Sequence, residues 1–279
     1  MSRTITVAEN GGFCAGVKRA IELAEKAARV YGEVFMLGDI VHNETVVRQL
    51  AQQGVRVVSE IALVPPDRPL LLRSHGTPRP VLDEIQRRGL TVIDATCPLV
   101  LEIHQRARQL QESGYSVIII GDPGHEEIEA IASQIDSPLI VSDVAVAERL
   151  APMHRAGIVV QSTQALGRVA DIVRVLATKI DDMQFHNTIC QPTRKRQKQV
   201  YQLAQTNDLM IVVGSPNSAN TKRLTEIARS VNPNTYKVLE ATELQPAWFE
   251  GVTRIGIASG ASTPAAKVAE IVKKVGQLP

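Results

Sequence analysis

Residues 116–127 read SVIIIGDPGHEE: a run of valine and isoleucine, a Gly-Asp-Pro-Gly turn, then a histidine and two glutamates. An apolar run this short, bounded by turn residues, is the pattern of a strand buried on both faces. The acidic pair behind the turn suits the start of a helix. Five more segments follow the same order: VFMLGDIVHNE (34–44), PLLLRSHGTP (69–78), GIVVQSTQ (157–164), LMIVVGSPNSAN (209–220) and RIGIASGASTP (254–264). Long amphipathic stretches separate them, for example Val17–Val30 and Pro98–Gln111. Strand alternating with helix predicts an α/β protein with mostly parallel sheets. Ligands in such sheets bind beyond the carboxyl ends of the strands. There this chain carries His42, His75, His125, Gln161, Ser215 and Ser259.

A chain of 279 residues suits two or three compact units. Six strand–loop segments divide into three lobes of two, and the similar spacing of the cysteines puts boundaries near Cys97 and Cys190. The expected lobes are residues 1–97, 98–190 and 191–279. With 44% apolar and 22% charged residues the chain can bury a core and is not disordered. A net charge of +2 and 3% aromatic residues argue against a dedicated nucleic-acid binder. The start, MSRTITVAEN, has no signal-peptide pattern, and no apolar run approaches the ~20 residues of a membrane span. A soluble, cytoplasmic protein is expected, and three scattered cysteines, too few for a disulfide framework, fit a reducing compartment.

Cys14 lies in GGFCAGVKRAI (11–21), Cys97 in DATCPLVLEI (94–103) and Cys190 in TICQPTRKRQ (188–197). Glycine before the first and proline close behind the other two place all three at expected helix N-termini. The partial positive charge of a helix end stabilises thiolate, the species that binds metal. One such cysteine is most simply a small buried side chain; three in the same local setting point to a shared metal site. Zinc with a histidine as fourth ligand is one reading, but structural zinc sites favour closely spaced pairs such as C-x-x-C, absent here. Three lone thiolates better suit an iron–sulfur cluster with one iron open, able to act as a Lewis acid and to deliver electrons.

Around them, His42, His75 and His125 occupy equivalent strand-end loops, whereas His104, His154 and His186 read as structural or surface residues. Glu126 and Glu127 suit a helix start in any case, though one of them could supply a proton. The loops 214–221 and 259–263 are small and hydroxyl-rich, suited to N-capping or to phosphate oxygens. There is no Walker A loop and no G-x-G-x-x-G after a strand. Arg194, Lys195, Arg196 and Lys198 read as a solvated helix face, or as a basic surface for an acidic electron carrier.

Taken together, GFCAGVKRAI (12–21), HNETVV (42–47), RSHGTP (73–78), VIDATCPLV (92–100), GHEEIE (124–129), VVGSPNSANTKRL (212–224) and SGASTP (259–264) resemble the LytB family, in its order and approximate spacing, along nearly the whole chain. The resemblance implies three similar α/β lobes in a trefoil around a central four-iron four-sulfur cluster, with Cys14, Cys97 and Cys190 as ligands and one iron open. It implies an oxidoreductase that removes the allylic hydroxyl of 4-hydroxy-3-methylbut-2-enyl diphosphate. The products are isopentenyl and dimethylallyl diphosphate, made for isoprene biosynthesis by the methylerythritol phosphate pathway, with ferredoxin or flavodoxin as electron donor. By the same resemblance His42, His75, Ser218, Asn220 and Ser262 hold the diphosphate, His125 lines the pocket and Thr193 lies beside the substrate. Glu127 is the proton source, with His125 and a relay through Ser162 in the catalytic set.

Some residues depart from the family pattern. Ser162 stands where threonine is usual, Ala219 where a phosphate-loop serine is usual, and Glu44 and Glu126 where prolines are usual. Gln191-Pro192 also departs, after the third cysteine. These departures keep two alternatives open: a relative acting on a different allylic alcohol, and a cluster-bearing sensor without catalysis.

Overall fold

A computed structural model describes residues 3–278 and shows why the six apolar runs stand out. The chain forms β1 (Thr4–Val7), α1 (Ala15–Tyr31), β2 (Val34–Leu37), α2 (Glu44–Gln52), β3 (Val55–Val58), β4 (Leu70–Leu72), α3 (Arg79–Arg87) and β5 (Val92–Asp94). It continues with α4 (Pro98–Glu112), β6 (Ser116–Ile120), α5 (Glu126–Ala132), β7 (Leu139–Val141), α6 (Val144–Arg149), β8 (Met153–Val160), α7 (Leu166–Leu176) and β9 (Ile180–Phe185). Then come α8 (Gln191–Thr206), β10 (Leu209–Val213), α9 (Ala219–Val231), β11 (Thr235–Val238), β12 (Arg254–Ser259) and α10 (Ala265–Gln277).

The strands make three parallel four-stranded sheets, ordered β3-β2-β4-β5, β7-β6-β8-β9 and β1-β12-β10-β11. The predicted α/β class, with three lobes of parallel sheet, is what the structure has. Each sheet takes two of the six apolar runs as its central pair. Thr4–Val7, early in the chain, pairs with Arg254–Ile257, so the sheet of residues 209–259 is completed by the N-terminal strand.

Two compact units contain these sheets. One is the described part of Met1–Val17, His42–Glu44 and Cys190–Pro279; the other is Lys18–Val41 with Thr45–Ile189. In the first unit, Ile211, Val213, Ile255 and Ile257 face Val268, Ile271 and Val275 of α10. The alternate residues Met210, Val212 and Ala258 face Val200 and Ala204 of α8 and Leu224 and Ala228 of α9. In the second unit Ile118, Ile120, Ile158 and Val160 pack on Val169, Ile172 and Leu176 of α7. Val117, Ile119 and Val159 turn the other way, to Ile103, Ala107 and Leu110 of α4 and Ile128 and Ile131 of α5. Period-two alternation thus covers both faces of these sheets, each buried aliphatic side chain contributing about 1.5–3 kcal/mol. With the strands so fixed, the polar loops at their carboxyl ends are held on rigid supports. No helix among the described residues is long and apolar enough to cross a membrane.

Candidate active site

In the first unit the strand-end loops of β10 and β12 are joined by the turn His42–Glu44. Asn43 Nδ2 donates to the Ser262 carbonyl at 2.7 Å, and Ser262 Oγ donates to the His42 carbonyl at 3.2 Å. Glu44 Oε1 accepts from Ser215 Oγ at 2.9 Å and Asn217 Nδ2 at 3.0 Å. Burial pushes the Glu44 carboxyl up, but its own backbone N–H, Ser215, Asn217 and the nearby His42 outweigh that and leave it below its usual value. It is therefore ionised at neutral pH, within a loop set built otherwise of donors.

Ser218 caps α9, its Oγ accepting from Thr221 N at 3.3 Å. Asn220, 4% exposed, has no partner for either its amide nitrogen or its oxygen among the described residues, and neither has Thr221 Oγ1. Unmatched buried polar atoms cost about 1–3 kcal/mol each, so their presence at a helix N-terminus marks a place for a polar ligand. Gly214 lets the loop pass: at φ 154°, a Cβ would stand 2.5 Å from Thr221 Oγ1 and 2.9 Å from Thr263 Oγ1.

Cys14 precedes α1 directly, and its backbone N–H donates to the Ala261 carbonyl at 3.0 Å, so it hangs from the same β12 loop. Cys190 is the N-cap of α8, with Pro192 in the first turn, and its Sγ lies 3.0 Å from Thr193 Oγ1. An open cavity of about 330 Å³ is lined by Glu9, Phe13, Cys14, Pro192, Lys195 and Arg196. Arg194, Lys195 and Lys198 are exposed as expected, but Arg196 is 6% exposed and does not belong to the solvated face. It donates to the carbonyls of Asn10 and Gly12.

In the second unit the chemistry gathers at the start of α5. Glu127, 1% exposed, accepts at Oε1 from Ser162 N at 2.6 Å and at Oε2 from Ser162 Oγ at 2.8 Å. Burial raises its pKa, against the opposing pull of the two Ser162 bonds and of His75. His125 is the N-cap; its Nδ1 accepts from Glu127 N at 3.1 Å, leaving Nε2 to carry the proton of the neutral ring. Burial, with His75 and Arg73 adding positive charge, lowers its pKa to about 4 against the pull of Glu126 and Asp122. His125 is thus neutral at neutral pH, with its ring 6.0 Å from that of His75 and edge-on to it.

Glu126, adjacent to this buried acid, turns to Arg73 and His75: Oε1 pairs with Arg73 Nη1, and Oε2 lies 3.3 Å from His75 Nδ1. Gln161, fully buried, accepts at Oε1 from Asp122 N at 2.9 Å and Gln164 Nε2 at 3.0 Å, while its own Nε2 has no partner among the described residues. Cys97 caps α4 ahead of Pro98, and its N–H donates to the Ser74 carbonyl at 3.0 Å, one residue before His75.

The structure therefore gathers Cys14, Cys190, Thr193, His42, Ser218, Asn220 and Ser262 in one unit, and Cys97, His75, His125, Glu127 and Ser162 in the other. Arg73 is not singled out by the sequence, and Arg196 reads there as part of a solvated or carrier-facing basic face, whereas it is buried. The RSHG segment contained the first, but nothing local marks Glu126, 53 residues later, as its partner. The second hid in a run of cations and shows only through the helical spacing 193, 196, 197, 200, which is the buried side of α8. None of the three cysteines is disulfide-bonded, and each is partly buried. In the first unit, thiols at helix starts with a buried guanidinium beside them fit a thiolate-held iron–sulfur group.

Comparison with known proteins agrees over the full length. The family model described as LytB protein matches residues 5–276. The 4-hydroxy-3-methylbut-2-enyl diphosphate reductase of Geobacter metallireducens is 38% identical over 275 residues, spanning 98% of this chain and 97% of that protein. The reductase of the same name from Geobacter sulfurreducens is 39% identical over 272 residues, 97% and 96% of the two chains. Among solved structures, the E-1-hydroxy-2-methyl-but-2-enyl-4-diphosphate reductase of Plasmodium falciparum superposes with a TM-score of 0.96 at 27% identity, covering 100% of this chain and 90% of that one. A second, an (E)-4-hydroxy-3-methyl-but-2-enyl diphosphate reductase described as the terminal enzyme of the non-mevalonate pathway, has a TM-score of 0.69 at 36% identity, covering 98% and 99%.

Proposed function

Since the chain belongs to the LytB family, and membership implies an iron–sulfur cluster, we propose that it is a cytoplasmic reductase of 4-hydroxy-3-methylbut-2-enyl diphosphate. In this reaction the allylic C–O bond breaks, the oxygen leaves as water, and the hydrocarbon is protonated at either allylic end. The products are isopentenyl or dimethylallyl diphosphate. Two electrons and two protons enter, the electrons from a ferredoxin or flavodoxin. Cys14, Cys97 and Cys190 are the residues that would hold a four-iron four-sulfur cluster with one iron open. When bound, that cluster supplies the electrons and a Lewis acid for the departing oxygen.

The observation that carries the reading is Glu127, a buried carboxyl with a raised pKa, held on both oxygens by Ser162. Hydroxide is a poor leaving group, and a carboxyl whose pKa is raised by burial keeps its proton to higher pH than usual and can hand it over. Ser162 fixes the orientation of that carboxyl and offers a hydroxyl through which its proton can be replaced. His125, neutral at working pH, contributes Nε2–H as a donor without adding charge beside the acid. For the diphosphate, the Asn220 amide and the α9 N-terminus provide donors already aligned, with Ser218, Ser262, His42 and His75 completing the set. Thr193 stands beside Cys190 and would lie next to the substrate in this reading.

Glu44 and Glu126, carboxylates in the same turns as these donors, favour as second reading an allylic alcohol carrying a different anionic group. Anaerobic turnover of the cluster-loaded protein with a low-potential donor tests both. Isopentenyl and dimethylallyl diphosphate formed at an enzymatic rate support the first reading. A loaded protein that turns over a non-diphosphate allylic alcohol but not the diphosphate replaces it with the second. Cys97→Ser is expected to lose cluster absorption while keeping its fold; an unchanged spectrum removes Cys97 from the ligand set.

A further inference from the structure

We propose that Arg196 is a positioning residue for the redox centre: it ties down the Cys14 loop and sets a fixed positive charge beside Cys14 and Cys190, easing reduction of the cluster they hold. This rests on the proposed role of those cysteines.

Arg196 is one of four cations within five residues of α8, and the other three, Arg194, Lys195 and Lys198, point to solvent. Its own position falls on the helix side shared by Thr193, Gln197 and Val200, all buried. Taking a guanidinium out of water costs several kcal/mol unless hydrogen bonds and counter-charge compensate. Hydrogen bonds account for part of that: Nη1 and Nη2 donate to the Asn10 and Gly12 carbonyls, the latter at 2.8 Å. Those carbonyls lie four and two residues before Cys14, so one rigid fork spans the approach to that thiol. Counter-charge is the remaining question. No carboxylate pairs with Arg196 among the described residues; the groups that favour its charged form, against burial, are the sulfurs of Cys14 and Cys190. Its Nε–H has no hydrogen-bond partner among the described residues either, so one donor remains for a sulfur acceptor.

A buried cation matched only by two thiol sulfurs is balanced when those sulfurs are thiolates on a negatively charged cluster. Reduction adds further negative charge there, and a fixed cation in a low-dielectric setting favours the more negative state. Arg196 therefore acts on the cluster's reduction potential. It also orders the loop that presents Cys14, together with Gln199, which holds Glu9 and Asn10, and Ser259, which accepts from Gly12 N.

The two parts of the role separate in two variants. Arg196→Lys retains charge but cannot span both carbonyls; Arg196→Gln retains a donor and loses charge. Both would be reconstituted anaerobically, checked for fold by circular dichroism, and titrated potentiometrically with spin-resonance detection. Arg196→Gln is expected to reduce less readily by about tenfold in equilibrium constant, a shift of about 59 mV to lower potential for one electron. Arg196→Lys is expected to stay near the wild-type potential while taking up its cluster more slowly. An unshifted potential in Arg196→Gln, or equal shifts in both variants, overturns the electrostatic role. If Arg196→Gln holds no cluster, the lysine variant decides: uptake at a near wild-type potential supports the role of charge, and failure of both assigns Arg196 to loop structure alone. Wild-type protein that takes up no iron would overturn the proposed function itself, a separate outcome.

Discussion

At the start of α2, His42, Asn43 and Glu44 lead into the helix; at the start of α5, His125 and Glu126 do the same. Both histidines close a strand-end loop and both glutamates occupy the first helical position. The surroundings differ. Glu44 receives hydrogen bonds from the neutral donors Ser215 and Asn217 and so fastens one loop to another. Glu126 faces the Arg73 guanidinium and the His75 ring, and the next residue, Glu127, is buried against Ser162. A carboxylate in the first turn of a helix is favoured by the helix dipole whatever it touches next. The local pattern therefore predicts the residue type, and the partner's charge and burial determine whether it is a tether, a counter-ion or an acid.

Substitutions can test that three-way division. Glu127→Gln should lose about 10²–10⁴-fold in turnover while binding substrate, as expected for removal of a general acid. A loss no greater than that of Glu126→Gln would erase the distinction between the neighbours. Because the Glu127 pKa is raised, activity that needs the protonated carboxyl persists above the usual carboxylate range and falls as pH rises through the raised value. Ser162→Ala removes a hydrogen bond that favours the charged form, so this alkaline limb should move to higher pH; a shift to lower pH contradicts the assignment.

Gly214→Ala should follow in size, with a Cβ forced onto Thr221 and Thr263 and a loss of about 1–3 kcal/mol in urea unfolding. Glu44→Ala should cost about 1–2 kcal/mol, since it strands the buried Ser215 hydroxyl, and should raise KM more than it lowers kcat. A change confined to kcat would remove Glu44 from loop positioning. Glu126→Gln should be mildest, no more than about fivefold in KM, in line with ~1 kcal/mol for a partly exposed ion pair.

The same contrast between pattern and partner governs how much of the fold could be read in advance. LMIVV (209–213) and SVIII (116–120) announced themselves because central strands are buried on both faces. IDDMQF (180–185) and VRVV (55–58) are edge strands, half exposed and carrying charge, and composition hid them among loops. Cysteines at helix starts were legible through their glycine and proline neighbours, as was the buried Glu127 through its place after a strand. Arg73 and the burial of Arg196 were not, because their partners lie far away in sequence or are backbone carbonyls. Nor does anything in TITV (4–7) indicate that it completes the sheet of β10 and β12; that pairing depends on residues about 250 positions later.

This last pairing has a consequence for biosynthesis. At ~5–20 residues per second on the ribosome, the segment bearing β1 and Cys14 waits roughly 12–50 s for β12 to emerge. Until then neither the strand nor the N–H of Cys14, which later meets the Ala261 carbonyl, has its native partner. With Cys14 in its proposed role, cluster assembly would wait for the end of translation, after the Ala261 carbonyl has been made.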